Sequence, residues 1–320
     1  MTTAPDARPT PSAPRRAWRW LQWGFGLTVA LFVVLSLRKN WEKLLTQRVA
    51  WDVTPGYLVA ALLLTWAMYA LLIQAWRVML AGWRQPLPAW PAARIWTVSG
   101  LGKYIPGQVW AIASMAVMAQ RVGIAPWAAT ASSVLLQGLA IGTGAAVLGA
   151  TGMELLRHEY PLVRAVVVLL VIGSVAGVAL LLWPPFVRRA LRALRVETHE
   201  AGVPGVASIL FGAVANVLAW IGYGIAFWLV ARGLFATSAL TLPLAIGTFT
   251  AAYLAGFLAF GVPAGVGVRE AIILTMLQAT MGPAAALALA AVSRIVSTVA
   301  ELGAATPFLL HRGERSRAVH

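Results

Sequence analysis

Long apolar runs dominate this chain and restrict the folds that it can adopt. Six of them are near the ~20 residues that a helix needs to cross a bilayer, and they occupy residues 57–80, 126–150, 162–183, 206–230, 240–260 and 283–310. A seventh run, residues 21–37, precedes them. Because 60% of the residues are hydrophobic and only 11% are charged, the sequence excludes a soluble domain of ordinary composition. It predicts an all-α membrane protein, a polytopic helical bundle with about seven to eight spanning helices.

The apolar part is flanked by two tails. Residues 1–17 are rich in Pro, Ala and Thr and are expected to form a disordered cytoplasmic tail, and residues 311–320 a short basic tail. The first apolar run resembles a signal sequence but continues into Arg38 and Lys39 without a small-residue cleavage site, which favours a retained first helix. Residues 18–310 are therefore expected to form a single transmembrane domain.

Basic residues outnumber acidic ones by 25 to 10. They cluster beside the apolar runs, which favours attraction to anionic lipid head groups over nucleic-acid binding. Lys and Arg in the short loops predict a multi-pass protein of the plasma (inner) membrane with a cytoplasmic N-terminus. Seven crossings would put the basic C-terminal tail outside, so the side of the C-terminus stays open.

No catalytic or metal-binding pattern is visible. The chain has no cysteine, and its four histidines fall in predicted loops or at the tail. A group-transfer enzyme would usually need a positioned base or metal-binding acids, often on a soluble domain, and no such domain is expected here. We therefore expect no enzyme activity, no cofactor and no metal.

Two Gly/Pro-rich breaks with charged residues interrupt the apolar pattern and predict two broken or re-entrant segments. The first break, residues 100–108, contains Lys103, and the second break, residues 261–270, contains Arg269 and Glu270. Unwound backbone and charge persist at membrane depth only when they are buried in protein or line a cavity. The helix that restarts after each break would point its partly positive N-terminus into the break. Together with Lys103, this predicts a site for a phosphate-bearing head group.

The last apolar run carries a polar stripe. Arg294, Ser297, Thr298 and Glu301 recur at helical spacing and share one face. A charge at the membrane centre costs about 2.5–3.5 kcal/mol, so the stripe is expected to face other helices or a cavity. In the alternative, these charges are structural: Arg294 and Glu301 pair with each other or with Glu270 and Arg269.

The residues of the two breaks resemble the paired signatures of the lysylphosphatidylglycerol synthase transmembrane-region family, also called flippase-like-domain proteins. Residues 102–107, which read GKYIPG, and the following Trp110 carry the first signature, and residues 263–270, which read PAGVGVRE, carry the second. Arg294 followed by Pro307 in the last helix also fits. Glycine is commoner in the family where this chain has Ala264, which is expected to stiffen the second break.

The resemblance implies a lipid-translocating module. Larger members of the family join it to a cytosolic synthase domain, and this chain is expected to be a stand-alone member without that domain or its activity. We expect a flippase or scramblase-like translocase for a phospholipid or an isoprenoid-linked head group, with membrane lipids as its partners. The expected substrate-binding residues are Gly102, Lys103, Tyr104, Pro106, Gly107, Gln108, Trp110, Pro263, Gly265, Gly267, Arg269, Glu270, Arg294 and Glu301.

Two other functions stay open. One is an accessory subunit that scaffolds a glycosyltransferase or lipid synthase, and the other is an ion-coupled transporter that uses the intramembrane charges. Transporters commonly place paired broken segments around a shared site. If this chain is a translocase, its two breaks should therefore meet near the centre of the protein.

Overall fold

The structure, a computed structural model, describes residues 51–104, 109–152, 161–193, 204–235, 239–259 and 262–310. Within them it contains ten α-helices and no strand. The helices are α1 (Pro55–Gly82), α2 (Ala89–Gly100), α3 (Val109–Gln120), α4 (Pro126–Gly152), α5 (Pro161–Leu181), α6 (Pro184–Ala193), α7 (Val206–Leu234), α8 (Leu242–Leu258), α9 (Val268–Met281) and α10 (Pro283–Leu310). Two short 3₁₀ turns, Leu101–Tyr104 and Pro263–Gly265, lie within the two breaks. The predicted tails and the apolar run 21–37 fall outside the described residues.

The ends of the helices follow the distribution of proline and glycine. Helices α1, α4, α5, α6 and α10 all begin with proline, whose missing N–H would be unsatisfied in the first turn in any case and whose fixed φ suits a helix start. Glycine ends α1, α2 and α4. Six predicted apolar runs therefore appear as helices α1, α4, α5, α7, α8 and α10, with ends within a few residues of those predicted.

The number of spanning helices is lower than predicted. Among the described residues, four helices are long and apolar enough to cross a membrane, namely α1, α4, α7 and α10. A fifth span is obtained if α5 and α6, which are bent by 95°, are counted as one. Helix α8 has 17 residues and is about 25 Å long, less than the ~30 Å hydrocarbon core. The expected seven to eight spans are thus not confirmed, partly because the second break leaves α8 short.

The helices repeat one order of elements in two halves of the chain. A long helix, a short helix, a break, a short helix and a long helix follow one another in α1 to α4, and again in α7 to α10. The first helices of the halves pack antiparallel: the Asp52 and Thr54 N–H groups, at the start of α1, donate to the carbonyls of Leu234 and Gly233, at the end of α7. The order and this pairing are those of an inverted-topology repeat.

The interior is apolar and contains indole groups whose donors are satisfied. The Trp76 indole N–H donates to the Ser132 hydroxyl (2.8 Å), and that of Trp220 donates to the Ala140 carbonyl (3.0 Å). The Trp66 indole N–H donates to the Ala300 carbonyl (2.9 Å) and so connects α1 to α10. Since an unsatisfied polar group in a membrane protein interior is costly, these bonds let large rings fill the core.

Candidate functional site

The two breaks are in contact, as the sequence predicted. The 3₁₀ turn Leu101–Tyr104 packs against the 3₁₀ turn Pro263–Gly265. Residues from both breaks, among them Lys103 and Arg269, line a cavity of 470 Å³. Three predicted site residues, Pro106, Gly107 and Gln108, lie in the stretch 105–108, outside the described residues.

Gly102 lets the first break fold back on the next helix. A Cβ at this position would lie 2.9 Å from the backbone nitrogen of Ala111 and 3.0 Å from the carbonyl carbon of Trp110. Contacts this short exclude every side chain, so the break can approach α3 only with glycine here. The following residues, Lys103 and Tyr104, then reach Glu301 on α10.

The Lys103 ammonium has an acidic partner. Its Nζ donates to Glu301 Oε1 at 2.5 Å, and the Tyr104 hydroxyl donates to Glu301 Oε2 at 2.7 Å. Both carboxylate oxygens of Glu301 are therefore in use. The structural alternative considered from the sequence paired Glu301 with an arginine; the structure pairs it with Lys103 instead. The charge of Lys103 is therefore already balanced by Glu301.

The second break depends on left-handed backbone geometry. Gly265 and Gly267 have φ of +67° and +85°, which glycine adopts at little cost. Gly265 also lies against Gly256 of α8, where a Cβ on Gly265 would be 2.7 Å from the Gly256 Cα. Ala264, the departure from the family pattern, has φ +49° and is therefore a strained left-handed alanine. Its carbonyl accepts a hydrogen bond from Arg294 Nη1 at 3.0 Å.

Glu270 holds the second break together. Its Oε2 accepts a hydrogen bond of 2.6 Å from the Gly267 N–H, which satisfies a free donor at the start of α9. Its Oε1 lies 3.6 Å from Arg294 Nη1. The Arg294–Glu270 pair is one of the structural alternatives considered from the sequence. With both oxygens occupied, Glu270 fills the position at the helix start where an anionic ligand was predicted to bind.

Arg269 is the cavity-lining cation without an anionic partner in the part of the chain that the structure describes. It lies in the first turn of α9, and its guanidinium lies over the rings of Tyr253 (5.1 Å) and Phe249 (5.7 Å) of α8. No carboxylate or hydrogen-bond acceptor of a described residue pairs with it. Gly256 leaves room for its stem, since a Cβ there would lie 2.7 Å from Arg269 Cγ.

The cavity wall combines aromatic and uncharged polar side chains. Sequence reasoning missed most of them because a tyrosine or glutamine in an apolar helix carries no spacing signal that separates a cavity from a packed core. The polar members include Thr65, Tyr69, Ser133, Gln137, Tyr223 and Ser297. A pocket with an apolar wall and a few directed polar groups is typical of small-molecule sites. No three His, Cys, Asp or Glu side chains cluster as metal ligands among the described residues.

The other predicted site residues take different places. Trp110 is 51% exposed and is not among the residues that line the cavity. Gly265, Gly267, Glu270 and Arg294 shape the second break rather than its cavity wall, and Pro263 begins the 3₁₀ turn there.

Comparison with known proteins supports the resemblance. Residues 21–303 match the family described as lysylphosphatidylglycerol synthase TM region, and this match includes both breaks and Glu301. No curated protein matches the chain. The match covers far more than half of the sequence, and helices of the described part are long and apolar enough to cross a bilayer. The chain is therefore a multi-pass membrane protein that belongs to the lysylphosphatidylglycerol synthase transmembrane-region family.

Proposed function

We propose that the protein is a flippase or scramblase-like translocase that moves the head group of a phospholipid or an isoprenoid-linked lipid between leaflets. One observation carries the proposal: the two breaks contribute to the wall of a 470 Å³ cavity, and Arg269 in that wall is a cation without an anionic partner among the described residues. Membership of a family named for a lipid synthase supports a lipid-related process.

Arg269 is the proposed contact for the lipid phosphate. An uncompensated cation in a membrane interior is costly, and an anionic ligand in the cavity would lower that cost. The ring faces of Tyr253 and Phe249 contribute attraction to the guanidinium but bring no negative charge. Lys103, the contact predicted from the sequence, is already neutralised by Glu301. The proposed site therefore keeps the predicted cavity but changes its principal cation.

The repeated order of helices suggests how a head group would pass. In transporters with inverted repeats, one half moves against the other around a site near the membrane midplane. Here α10 binds both breaks, since Glu301 contacts the first and Arg294 the second. These two residues are seven positions apart, or about 10 Å along one face of the helix. A movement of α10 would therefore change both sides of the cavity.

The proposed setting is the plasma (inner) membrane with a cytoplasmic N-terminus, in keeping with the basic residues of the short loops. A reporter fused at the N-terminus should then read cytoplasmic, and a periplasmic reading would reverse the orientation.

The test is lipid movement in proteoliposomes. Purified wild-type protein should make fluorescent lipids of the inner leaflet accessible to a membrane-impermeant quencher, and protein-free vesicles should not.

The variant Arg269→Gln should slow the movement of lipid between leaflets by about tenfold or more, because it removes a ligand contact. Its melting temperature should stay the same or rise, because the variant also removes an unpaired charge. Arg121→Gln is the matched control, since Arg121 is exposed in the turn after α3. The proposal is overturned if the wild-type protein moves none of three lipids between leaflets: phosphatidylglycerol, phosphatidylethanolamine and a polyprenyl-linked lipid.

Ion-coupled transport is a second candidate, favoured by the carboxylate of Glu301 in the cavity wall. A pH gradient across the vesicle should then leave the labelled lipid unequally distributed between leaflets. A passive scramblase would equalise it with or without the gradient. An accessory role would show instead as stoichiometric co-purification with a lipid or glycan biosynthetic enzyme.

A further inference from the structure

We infer that the lipid for this cavity carries one negative charge, on a phosphodiester, and an uncharged head group rich in hydroxyls. The inference rests on the proposed function, because it names the substrate class of the same site. It follows from the balance of charges around the cavity and from the polar groups that its wall leaves unused.

Among the described residues, the charges at the two breaks and the cavity leave one positive charge in excess. Three cations, Lys103, Arg269 and Arg294, are set against two carboxylates, Glu270 and Glu301. A phosphodiester monoanion neutralises this excess. A phosphomonoester or diphosphate with two or more negative charges would over-compensate it, and charge is costly in a low-dielectric interior.

Each carboxylate already has a cationic partner. Glu301 already accepts from Lys103 and Tyr104, and Glu270 accepts from the Gly267 N–H and lies beside Arg294. An amine on the lipid would add a further cation to two carboxylates whose charge is already balanced by Lys103 and Arg294. The rings of Tyr253 and Phe249 are likewise occupied by Arg269. The site is therefore unsuited to the ammonium of phosphatidylethanolamine, and more so to a lysyl group with two ammonium charges.

The wall offers uncharged groups that suit hydroxyls. Tyr69, Tyr223 and Gln137 line the cavity, and no hydrogen bond joins their hydroxyl or amide groups to another described residue. A tyrosine hydroxyl both donates and accepts, and a glutamine amide has two donors and a carbonyl acceptor. A lipid hydroxyl also donates and accepts, so a glycerol or sugar head group matches all three. An ammonium only donates and leaves the amide donors unpaired.

Two lipids share this chemistry: phosphatidylglycerol and a polyprenyl phosphate that carries a hexose. Both are phosphodiester monoanions with a hydroxylated, uncharged head. The two lipids are distinguished by measuring the binding of each in a separate arm of the test.

The test is competitive lipid retention by the full-length protein in detergent, read by native mass spectrometry. The probes are phosphatidylglycerol, phosphatidic acid, phosphatidylethanolamine and lysylphosphatidylglycerol with identical acyl chains, and in a second arm a hexosyl polyprenyl phosphate beside its unglycosylated phosphate. We expect phosphatidylglycerol or the hexosyl lipid to be retained about tenfold better than its competitors, since one charged hydrogen bond gives a difference of that size. Arg269→Gln should abolish the preference, and Arg121→Gln should keep it.

Tyr69→Phe tests the hydroxyl part of the inference. It removes one polar atom from the wall and keeps the ring, so the fold is preserved. Retention of phosphatidylglycerol or the hexosyl lipid should fall severalfold, while retention of phosphatidic acid, which lacks the head-group hydroxyls, should not change. Equal losses for both lipids would overturn the hydroxyl assignment. Equal or better retention of lysylphosphatidylglycerol, phosphatidylethanolamine or phosphatidic acid by the wild type would overturn the charge assignment.

Retention and movement are separate readouts, so the two proposals fail separately. Selective, Arg269-dependent retention without lipid movement in proteoliposomes would refute the translocase and support the head-group assignment. Lipid movement without selective retention would refute the head-group assignment alone.

Discussion

Lys103 and Arg269 carry the same charge on the same cavity, but their surroundings give them different roles. Lys103 is bound to a carboxylate that Tyr104 also contacts, whereas Arg269 has aromatic rings as its neighbours. Removal of Lys103 leaves the Glu301 carboxylate, only 14% exposed, without its counter-ion. Removal of Arg269 leaves no described carboxylate unpaired. Stability should therefore depend on the first residue and ligand binding on the second.

The Lys103 variant tests this division. Lys103→Ala should lower the melting temperature in detergent, with a loss of about 2 kcal/mol; a fully buried pair would cost about 3–5 kcal/mol, and Lys103 is 32% exposed. The double variant Lys103→Met with Glu301→Gln should recover most of the loss, because no charge is then stranded. The sequence alone assigned Lys103 to the head-group site, a role in ligand binding rather than in stability. An unchanged melting temperature for Lys103→Ala would show that the ion pair contributes nothing.

The backbone at Ala264 gives a second prediction at this scale. Ala264→Gly should raise the melting temperature slightly, because it relieves a left-handed φ that costs about 1 kcal/mol, and the added freedom of the unfolded chain offsets part of the gain. Gly265→Ala should lower the melting temperature strongly, since its φ is also positive and its new Cβ would meet Gly256 Cα at 2.7 Å. Equal effects of the two variants on thermal unfolding would contradict the geometry of the second break.

Secondary-structure elements were the part of the fold that the sequence predicted best. Apolar runs bounded by Pro and Gly predicted the ends of α1, α4, α7 and α10 to within a few residues. The polar stripe of α10 faces protein and cavity as expected: Ser297 and Glu301 line the cavity, and Arg294 contacts the second break. Partners distant in sequence were not predictable. Lys103 and Glu301 are 198 positions apart, and helical spacing says only that Glu301 must avoid lipid. The aromatic wall was missed for the same reason, because Tyr69 and Tyr253 look like core residues until the helices are assembled.

Packing between α8 and α9 sets the position of Arg269 and gives a prediction for these elements. Gly256→Ala places a Cβ 2.7 Å from Arg269 Cγ and should displace the guanidinium or separate the helices. Lipid movement and selective lipid retention should then fall toward the values of Arg269→Gln. The matched control is Gly173→Ala on α5, where no heavy atom lies within 4 Å of the added Cβ. If both alanine variants move lipid at the wild-type rate, Arg269 does not need its present position.

At the scale of the whole molecule, the repeated order of helices predicts that the cavity opens to each side of the membrane in turn. The first helices of the two halves run antiparallel, so a rocking motion that closes one side opens the other. The family match and the helices of spanning length make this a membrane protein. In such a protein, a cavity open to one side only would indicate a receptor, and a cavity open to each side in turn would indicate a translocase. Access is therefore the property of the whole molecule that most directly separates these functions.

Cysteine labelling measures that access without background, because the chain contains no cysteine. Ser297→Cys, in the cavity wall, should react with a membrane-impermeant thiol reagent in both right-side-out and inverted vesicles, and added phosphatidylglycerol or hexosyl polyprenyl phosphate should slow the reaction. Ile295→Cys on the same helix is the control: its side chain is 60% exposed on the outer surface of a spanning helix, where lipid keeps the thiol protonated and unreactive. Reaction of Ser297→Cys from one side only, with and without lipid, would identify a fixed pocket and argue against translocation. Reaction from both sides, slowed by the lipid whose retention depends on Arg269, would show that this lipid occupies the cavity and that the cavity is reached from both leaflets. Both are required of a translocase that uses Arg269 to bind its lipid.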